Sequence, residues 1–447
     1  MMDRIRITGW AVGLLLMTAG GAAGQAATGR NGGTQVRLSV EDAIGQALAE
    51  NEQTRIARAT VDRTRGLVRE AFADALPTID GTYRLAHNLQ RPVIFFNQGG
   101  ETQQISIGED NEHTFGISVE QTVFDRSLGA AVSAARHGRA ASEALYDRAL
   151  ADVARETRED YYAVLLADAT VIVRESAVRL ATERVEQIRL FRDVGTRSDF
   201  DLLTAEVDLE NLRPGLIRAR NDVELAVNGL KRTIGTPLEE EIVLVDTLAF
   251  APVAISLEEA QERALAGRAD LEAQARTVEL NEELVNVERA EAFPSLELSL
   301  DLSRRSSSQD FLPEEREFSQ STTAALFLDI PVFDGRRTEG RALQARANQV
   351  EAQETYRALE RDVRLQVQDA WQTVQATTQE VEATRATGER AQRAYEIARV
   401  RFREGLSTQL ELDEAEQTVT EARLNAAQAL HDHMVAVARL THAMGER

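Results

Sequence analysis

The sequence predicts a mainly α-helical chain with a small β part, built as two tandem repeats of long antiparallel helices plus four short strands. Three observations predict it. The chain matches itself at a shift of 217 residues and later at a shift of 210. Two proline-free stretches of nearly seventy residues each keep apolar side chains at three- and four-residue spacing. Four short segments alternate apolar and polar residues with the period of a strand.

The first element is expected to be removed. Arg4 and Arg6 precede an apolar run from Trp10 to Thr18, and small residues lead to Gly24-Gln25-Ala26-Ala27. A basic start, a short apolar stretch and an A-x-A-like end describe a secretory signal over residues 1–27. The run is shorter than the ~20 apolar residues of a membrane-spanning helix, and nothing later in the chain approaches that length. If the chain enters a membrane, it does so through strands.

Residues 28–235 then form one repeat and 255–447 a second, joined by a connecting segment over 236–254. Leu38-Ser39-Val40-Glu41-Asp42-Ala43 aligns with Ile255-Ser256-Leu257-Glu258-Glu259-Ala260, and the register holds without a gap to Pro77 and Pro294. Of these 40 pairs 13 are identical, where unrelated segments of this composition share roughly 3 or 4. The match resumes at Phe124-Asp125 against Phe333-Asp334, and the later shift of 210 carries Gly195 onto Gly405 and Gly235 onto Gly445.

Each repeat reads alike. A helix of about 37 residues begins after Ser39 or Ser256, both good N-caps, and stops before Pro77 or Pro294 because the residue preceding proline disfavours helical geometry. Two strands follow, over about 78–88 and 113–123 in the first repeat and 295–303 and 322–332 in the second. Polar loops, Arg91–Asn111 and Arg304–Ser321, separate them. The long helices run over Arg126–Asp193 and Arg336–Glu404. At 1.5 Å per residue each reaches on the order of 100 Å, which no compact globule accommodates, so each runs in a coiled coil or a helical tube. A short turn and a final helix of about 37 residues close each repeat at Gly235 and Gly445. The connecting segment holds one candidate strand, Glu241–Val245.

The strands bear on location. Ile79, Gly81, Tyr83 and Leu85 alternate with Thr78, Asp80, Thr82 and Arg84, and Leu296, Leu298, Leu300 and Leu302 with Glu297, Ser299, Asp301 and Ser303. Their length suits either tilted spans of a membrane barrel or hairpins laid on a soluble core. The export signal and the shortage of bulky core residues favour the barrel, since aromatics are 5% of the chain. An open sheet edge is not tolerated in hydrocarbon, and four strands fall short of the roughly eight that the smallest barrels need. The chain is therefore expected to oligomerise. Three copies give twelve strands, though geometry alone also admits two or four.

Bulk composition excludes other roles. A formal charge of −22 is wrong for nucleic acid, whose phosphates need a basic surface. Without cysteine there is no disulfide framework, no thiolate metal site and no lipid-modified terminal cysteine. The histidines are His87, His113, His137, His431, His433 and His442. Of these only His87 and His113, where a hairpin meets its loop, are expected to approach each other, and a surface pair is the plainer reading of them than a metal site. No phosphate loop, nucleophile elbow or zinc-binding H-E-x-x-H is present, so neither catalysis, nor a metal, nor a cofactor is expected.

The duplicated helix–hairpin–long helix–turn–helix order resembles the TolC family of outer-membrane efflux and secretion proteins. The resemblance rests on Ser39-Val40-Glu41-Asp42-Ala43 and its repeat, on Leu76-Pro77 and Phe293-Pro294, and on Val123-Phe124-Asp125 and Val332-Phe333-Asp334. The turns Val194-Gly195-Thr196-Arg197-Ser198 and Glu404-Gly405-Leu406-Ser407-Thr408 complete it. No single motif is specific, but their order at duplicated positions spans the whole mature chain. The resemblance implies a homotrimer with a twelve-stranded barrel in the outer-membrane lipid and a long periplasmic tube of helices. It also implies a periplasmic adaptor, or membrane-fusion, protein and an inner-membrane transporter as partners, in a tripartite efflux pump or a type I secretion system. Rival readings are a soluble periplasmic or surface coiled-coil protein and a stand-alone uptake porin.

Family members present the equivalent turns to their adaptor. The resemblance thus assigns adaptor-facing roles to Gly195, Thr196, Arg197 and Ser198 and to Gly405, Leu406, Ser407 and Thr408, and a channel constriction to Glu411, Glu414 and Asp201. A plainer reading stands beside this one. Ser198 and Thr408 can cap the following helices, with Asp201 and Glu411 closing capping boxes three residues on. Glu414 is not explained by capping, but a solvated outer helix face would also account for it. Glu411 and Glu414 share one helix face, and a ring of like charges selects for cations. Phe402 and Ser407 stand where some members carry the Tyr and Arg of a closed-state latch, so a latch here would fall to Arg197 or be looser.

Overall fold

The computed structural model describes residues 36–98, 101–314 and 318–447; the predicted export signal lies outside them. The chain runs β1 (Val36–Leu38), α1 (Val40–Glu50), α2 (Glu52–Ala73), β2 (Thr78–His87), β3 (Val93–Gln98), β4 (Glu101–Ser106), β5 (Asn111–Phe124), α3 (Arg126–Asp193) and α4 (Asp199–Thr233). It continues with β6 (Ile242–Leu244), α5 (Leu257–Gly267), α6 (Ala269–Ala290), β7 (Ser295–Ser308), β8 (Phe318–Asp329), α7 (Arg337–Arg403) and α8 (Gln409–Ala443). The long helices α3 and α7 have 68 and 67 residues, hence the ~100 Å reach that the sequence demands. No helix among the described residues is long and apolar enough to cross a membrane.

Two expectations need correction. The single opening helix of each repeat is two helices, broken at Asn51 and again at Arg268, which are repeat-equivalent positions with extended backbone. Both residues are buried, and each sends its side chain to the end of the last helix in its own repeat. Asn51 Nδ2 donates to the Thr233 carbonyl at 2.8 Å, and Arg268 Nη1 to the Ala443 carbonyl at 3.4 Å. The break satisfies carbonyls that a helix end leaves orphaned. Directly beyond, Gly235 (φ +71°) and Gly445 (φ +82°) press on Glu50 and Gly267 so closely that a Cβ would lie 2.9 and 2.8 Å from them. The second correction concerns the two polar loops: Arg91–Asn111 carries the antiparallel β3–β4 hairpin, and Arg304–Ser321 shrinks because β7 runs on to Ser308 and β8 begins at Phe318.

Other devices are also duplicated. The Tyr161 hydroxyl, fully buried, lies 2.9 Å from the Leu38 carbonyl and 2.7 Å from the Asp246 carboxylate. At the equivalent place in the second repeat, Trp371 Nε1 donates to the Ile255 carbonyl at 2.9 Å. Each long helix thus fixes the chain entering its repeat through one aromatic donor. Leu38, Ala43, Ala47, Val153, Val164 and Leu230 form the core of the first repeat, and Ala260, Ala264, Val363, Val374 and Leu440 that of the second. A third core lies far down the long helices, where Ile188, Leu202 and Leu209 meet Tyr395, Phe402 and Leu412 from the other repeat.

Four of the strands form one antiparallel sheet in the order β2-β5-β7-β8, apart from the β3–β4 hairpin and a short parallel pairing of β1 with β6. The register is itself repeated: Ile79 opposes Val119, and Leu296 opposes Leu328. One face carries Ile79, Tyr83, Phe115, Ile117, Leu300, Leu302 and Leu326, more than a third exposed in each case, and the other is polar. β2 and β8 are edges with nothing beside them in the described chain.

Quasi-symmetry exposes a shortage. Within the chain, α3 packs on α6 and α8, and β5 pairs with β7. The repeat-equivalent contacts are α7 with α2, α7 with α4, and β8 with β2, and among the described residues none of these three is made to any comparable extent. Apolar side chains wait on those surfaces: Ile56 on α2 is 66% exposed, whereas its repeat mate Ala273 is 4% exposed. Val207 and Ile217 on α4 and Leu343 and Ile397 on α7 are likewise open.

Candidate functional site

The turns joining α3 to α4 and α7 to α8 lie at the end of the chain remote from the sheet. Gly195 (φ +79°) and Gly405 (φ +72°) adopt the left-handed conformation that costs glycine nothing. Thr196 N–H then donates to the Phe191 carbonyl and Leu406 N–H to that of Arg401, at 2.8 Å each, closing both helices alike. Arg197 reaches across between the turns and lies 5.0 Å over the Phe402 ring. Phe200 and Leu410, repeat mates one turn further on, are 76% and 65% exposed, so this tip is apolar as well as charged.

The acids part company here. Asp201 closes a reciprocal capping box, accepting from Ser198 N and Oγ at 3.0 Å each. Those bonds, helped by Arg197, hold its carboxyl below the usual carboxylate range. Glu411 does not follow. Thr408 Oγ1 accepts from Glu411 N–H at 3.3 Å, but the Glu411 carboxylate returns nothing, so the expected second box is half a box. Glu411 and Glu414 are exposed and have no ion-pair partner among the described residues. At about 100° per residue they lie ~60° apart on α8.

Asp413 and Glu416, on the opposite side of α8, turn to Arg184 of α3. This guanidinium is 6% exposed and pairs with Asp413, with Glu416 at 3.0 Å and with Asp208 at 3.7 Å. Sequence reasoning missed it, although a signal existed. The repeat mate of Arg184 is Ala394, so a cation stands in one repeat where the other has a small apolar residue. The groove around it, about 590 Å³, is lined by Leu180, Asn211, Leu212, Gln417 and Leu424 among others.

The histidines do not assemble. His87 Nδ1 is 2.9 Å from Asn111 Oδ1, while His113 lies between the Tyr83 hydroxyl and the Phe311 carbonyl. His433 is fully buried against Ala251 and Thr377. Among the described residues no cluster of His and carboxylate side chains suits a metal ion.

The profile of the outer membrane efflux protein family matches residues 43–236 and 260–446, one match to each repeat. The chain belongs to this family. It is therefore an outer-membrane protein with the fold of an efflux channel, as the TolC-type resemblance implied. No curated protein sequence matches it, but solved structures do. The Campylobacter jejuni CmeC outer membrane channel superposes with a TM-score of 0.77 at 19% identity, over 91% of this chain and 85% of that one. The Vibrio cholerae outer membrane protein VceC gives 0.73 at 19%, over 91% and 96%. The Neisseria gonorrhoeae MtrE outer membrane channel in its open state gives 0.71 at 19%, over 91% and 89%.

Proposed function

We propose that three copies of this chain close into a passive exit duct, a twelve-stranded barrel in the outer membrane continued by a periplasmic tube of helices. The observation that carries this is the set of unmade quasi-equivalent contacts: the β8 and β2 edges and the open faces of α7, α2 and α4. A neighbour supplying β2, α2 and α4 to β8 and α7 would repeat outside the chain what β7, α6 and α8 do inside it. Hydrocarbon leaves the two sheet edges no other resting state.

The duct would serve a tripartite efflux pump or a type I secretion system, with a periplasmic adaptor and an inner-membrane transporter supplying drive and cargo choice. The chain itself would perform no catalysis. The two turns, Gly195–Ser198 and Gly405–Thr408, would meet the adaptor, and the exposed apolar tips Phe200 and Leu410 suit such a contact. Glu411 and Glu414, free of the cap and of the Arg184 network, would line the inner end of the pore as six carboxylates in the trimer, while Asp201 would stand at the first turn with its carboxylate occupied by the cap.

Planar-bilayer recording tests the ring. The double variant Glu411→Ala with Glu414→Ala is expected to lose most of the cation preference at unchanged single-channel size. Unaltered selectivity would remove both residues from the pore.

A further inference from the structure

The outward face of the sheet is almost uncharged. In the observed register the polar face carries Asp80, Arg84, Glu120, Asp301, Arg305 and Asp329 among others. On the opposite, apolar face Arg304 is the one side chain of the four strands with a permanent charge. It lies beyond Leu302 at the end of the sheet away from the helices, in the row Tyr83–Phe115–Arg304–Gln320. Below this row the face is Ile117, Leu302, Leu300 and Leu298; above it come His113 and Ser306. Arg304 thus marks the boundary where apolar surface ends.

Aromatic rings surround it. The Arg304 guanidinium carbon lies 5.1 Å from the centroid of Phe318, Phe318 is 6.0 Å from Phe115, and Phe115 is 4.6 Å from Tyr83. Rings at this level are the girdle by which a barrel sits at a membrane surface. A cation is costly at the bilayer midplane and nearly free of penalty at the surface, so this is the level at which lipid tolerates one. Toleration does not explain why an otherwise neutral face carries one. Charge complementarity does: at the girdle of the outer leaflet the nearest anions are lipid phosphates, and a planar guanidinium presents paired donors to two phosphate oxygens.

We propose that Arg304, over the Phe318 ring, is a binding site for the phosphate of an outer-leaflet lipid, one site per chain. This rests on the reading that the apolar face meets lipid.

The test uses the intact oligomer in phosphatidylcholine nanodiscs doped with phosphatidic acid, with lipid A, or with uncharged diacylglycerol, the retained lipids being counted by native mass spectrometry. The expected result is retention of phosphatidic acid, lipid A or both over diacylglycerol. Arg304→Gln is expected to lower it roughly threefold to tenfold, the scale of an exposed charge-assisted bond. Arg304→Lys should retain part of it, because a point charge keeps the attraction without the fork. Arg305→Gln, on the polar face, should leave it unchanged. Retention by phosphatidic acid and lipid A alike supports a phosphate site of either source; retention of lipid A alone narrows the source. Equal retention in wild type and Arg304→Gln, or an equal loss in Arg305→Gln, would overturn the site. Failure of the wild-type chain to enter any nanodisc would overturn the channel reading itself.

Discussion

Replacing Arg184 by Met should loosen the far end of the helical shaft and leave the sheet untouched. The guanidinium is 6% exposed, whereas its partners Asp413, Glu416 and Asp208 are 24, 15 and 38% exposed. Stranding one member of a fully buried pair costs about 3–5 kcal/mol. Here the acids retain part of their hydration, which lowers the expected cost to about 2–3 kcal/mol. Because Arg184 joins α3 to α8 and lies beside the core of Ile188, Leu202 and Leu412, the loss falls on local opening of those helices. In hydrogen exchange, 2–3 kcal/mol is a roughly 30- to 160-fold faster exchange of amides in 181–188 and 409–424, with no change in β5 and β7. The triple variant with Asp413→Asn and Glu416→Gln should recover much of the protection, since only Asp208, the most exposed of the three acids, is then left beside an absent cation. Unchanged exchange in Arg184→Met, or a triple variant less protected than the single one, would refute the reasoning.

Further predictions concern the duplicated anchors and pH. Tyr161→Phe, which removes the hydroxyl shared by Leu38 and Asp246, and Trp371→Phe, which removes the donor to Ile255, should each cost about 1–2 kcal/mol. Limited proteolysis should show each opening at its own repeat, near 36–50 for the first and 255–267 for the second; identical patterns would deny them separate anchoring. In the lattice joining α3 to α6 and α8, burial alone would raise the carboxyls of Asp152, Asp270 and Glu159. Their partners, His442 with Arg148, Arg268 with Arg148, and Arg439 with Arg155, outweigh burial and hold all three below the ordinary range. A lowered folded-state value means stability fully present above the unfolded carboxylate pKa, near 4, and lost as pH falls through the folded values. The thermal midpoint should therefore be level above about pH 5 and fall below about pH 4, less steeply in Asp152→Asn. A midpoint that rises on acidification would contradict the sign.

Much of this was legible in the sequence because it is periodic. The repeat, the long helices, the four strands and the glycine turns each leave a signature in residue spacing, and the resemblance built on them led to the family. The break at Asn51 left only the weak signal of an N-cap residue, its side chain accepting from Gln53 N–H, and the break at Arg268 left none. Both residues bend the chain because their side chains are drawn to carbonyls at Thr233 and Ala443, more than 170 residues away. The β3–β4 hairpin was missed because its strands are short and neither alternates: β3 opens on the apolar run Val93–Phe96, and β4 is mostly polar. Glu411 follows the capping-box spacing as Asp201 does, yet only Asp201 returns the bond. Spacing permits that bond, and side-chain geometry decides whether it forms.

The most direct measurement joins two chains. Inside the chain Gly116 opposes Ser303. Carried through the repeat shifts, that pairing places Ala325 of β8 opposite Ala86 of β2 in the next copy. The protein contains no cysteine, so Ala325→Cys with Ala86→Cys introduces the only two thiols. Mild oxidation in outer membranes should yield covalent dimers and trimers on a denaturing gel, whereas the out-of-register pair Ala325→Cys with Asn88→Cys should yield few. Only single chains from the first pair, in protein that is stable in buffer without detergent, would contradict the shared barrel on which the account depends.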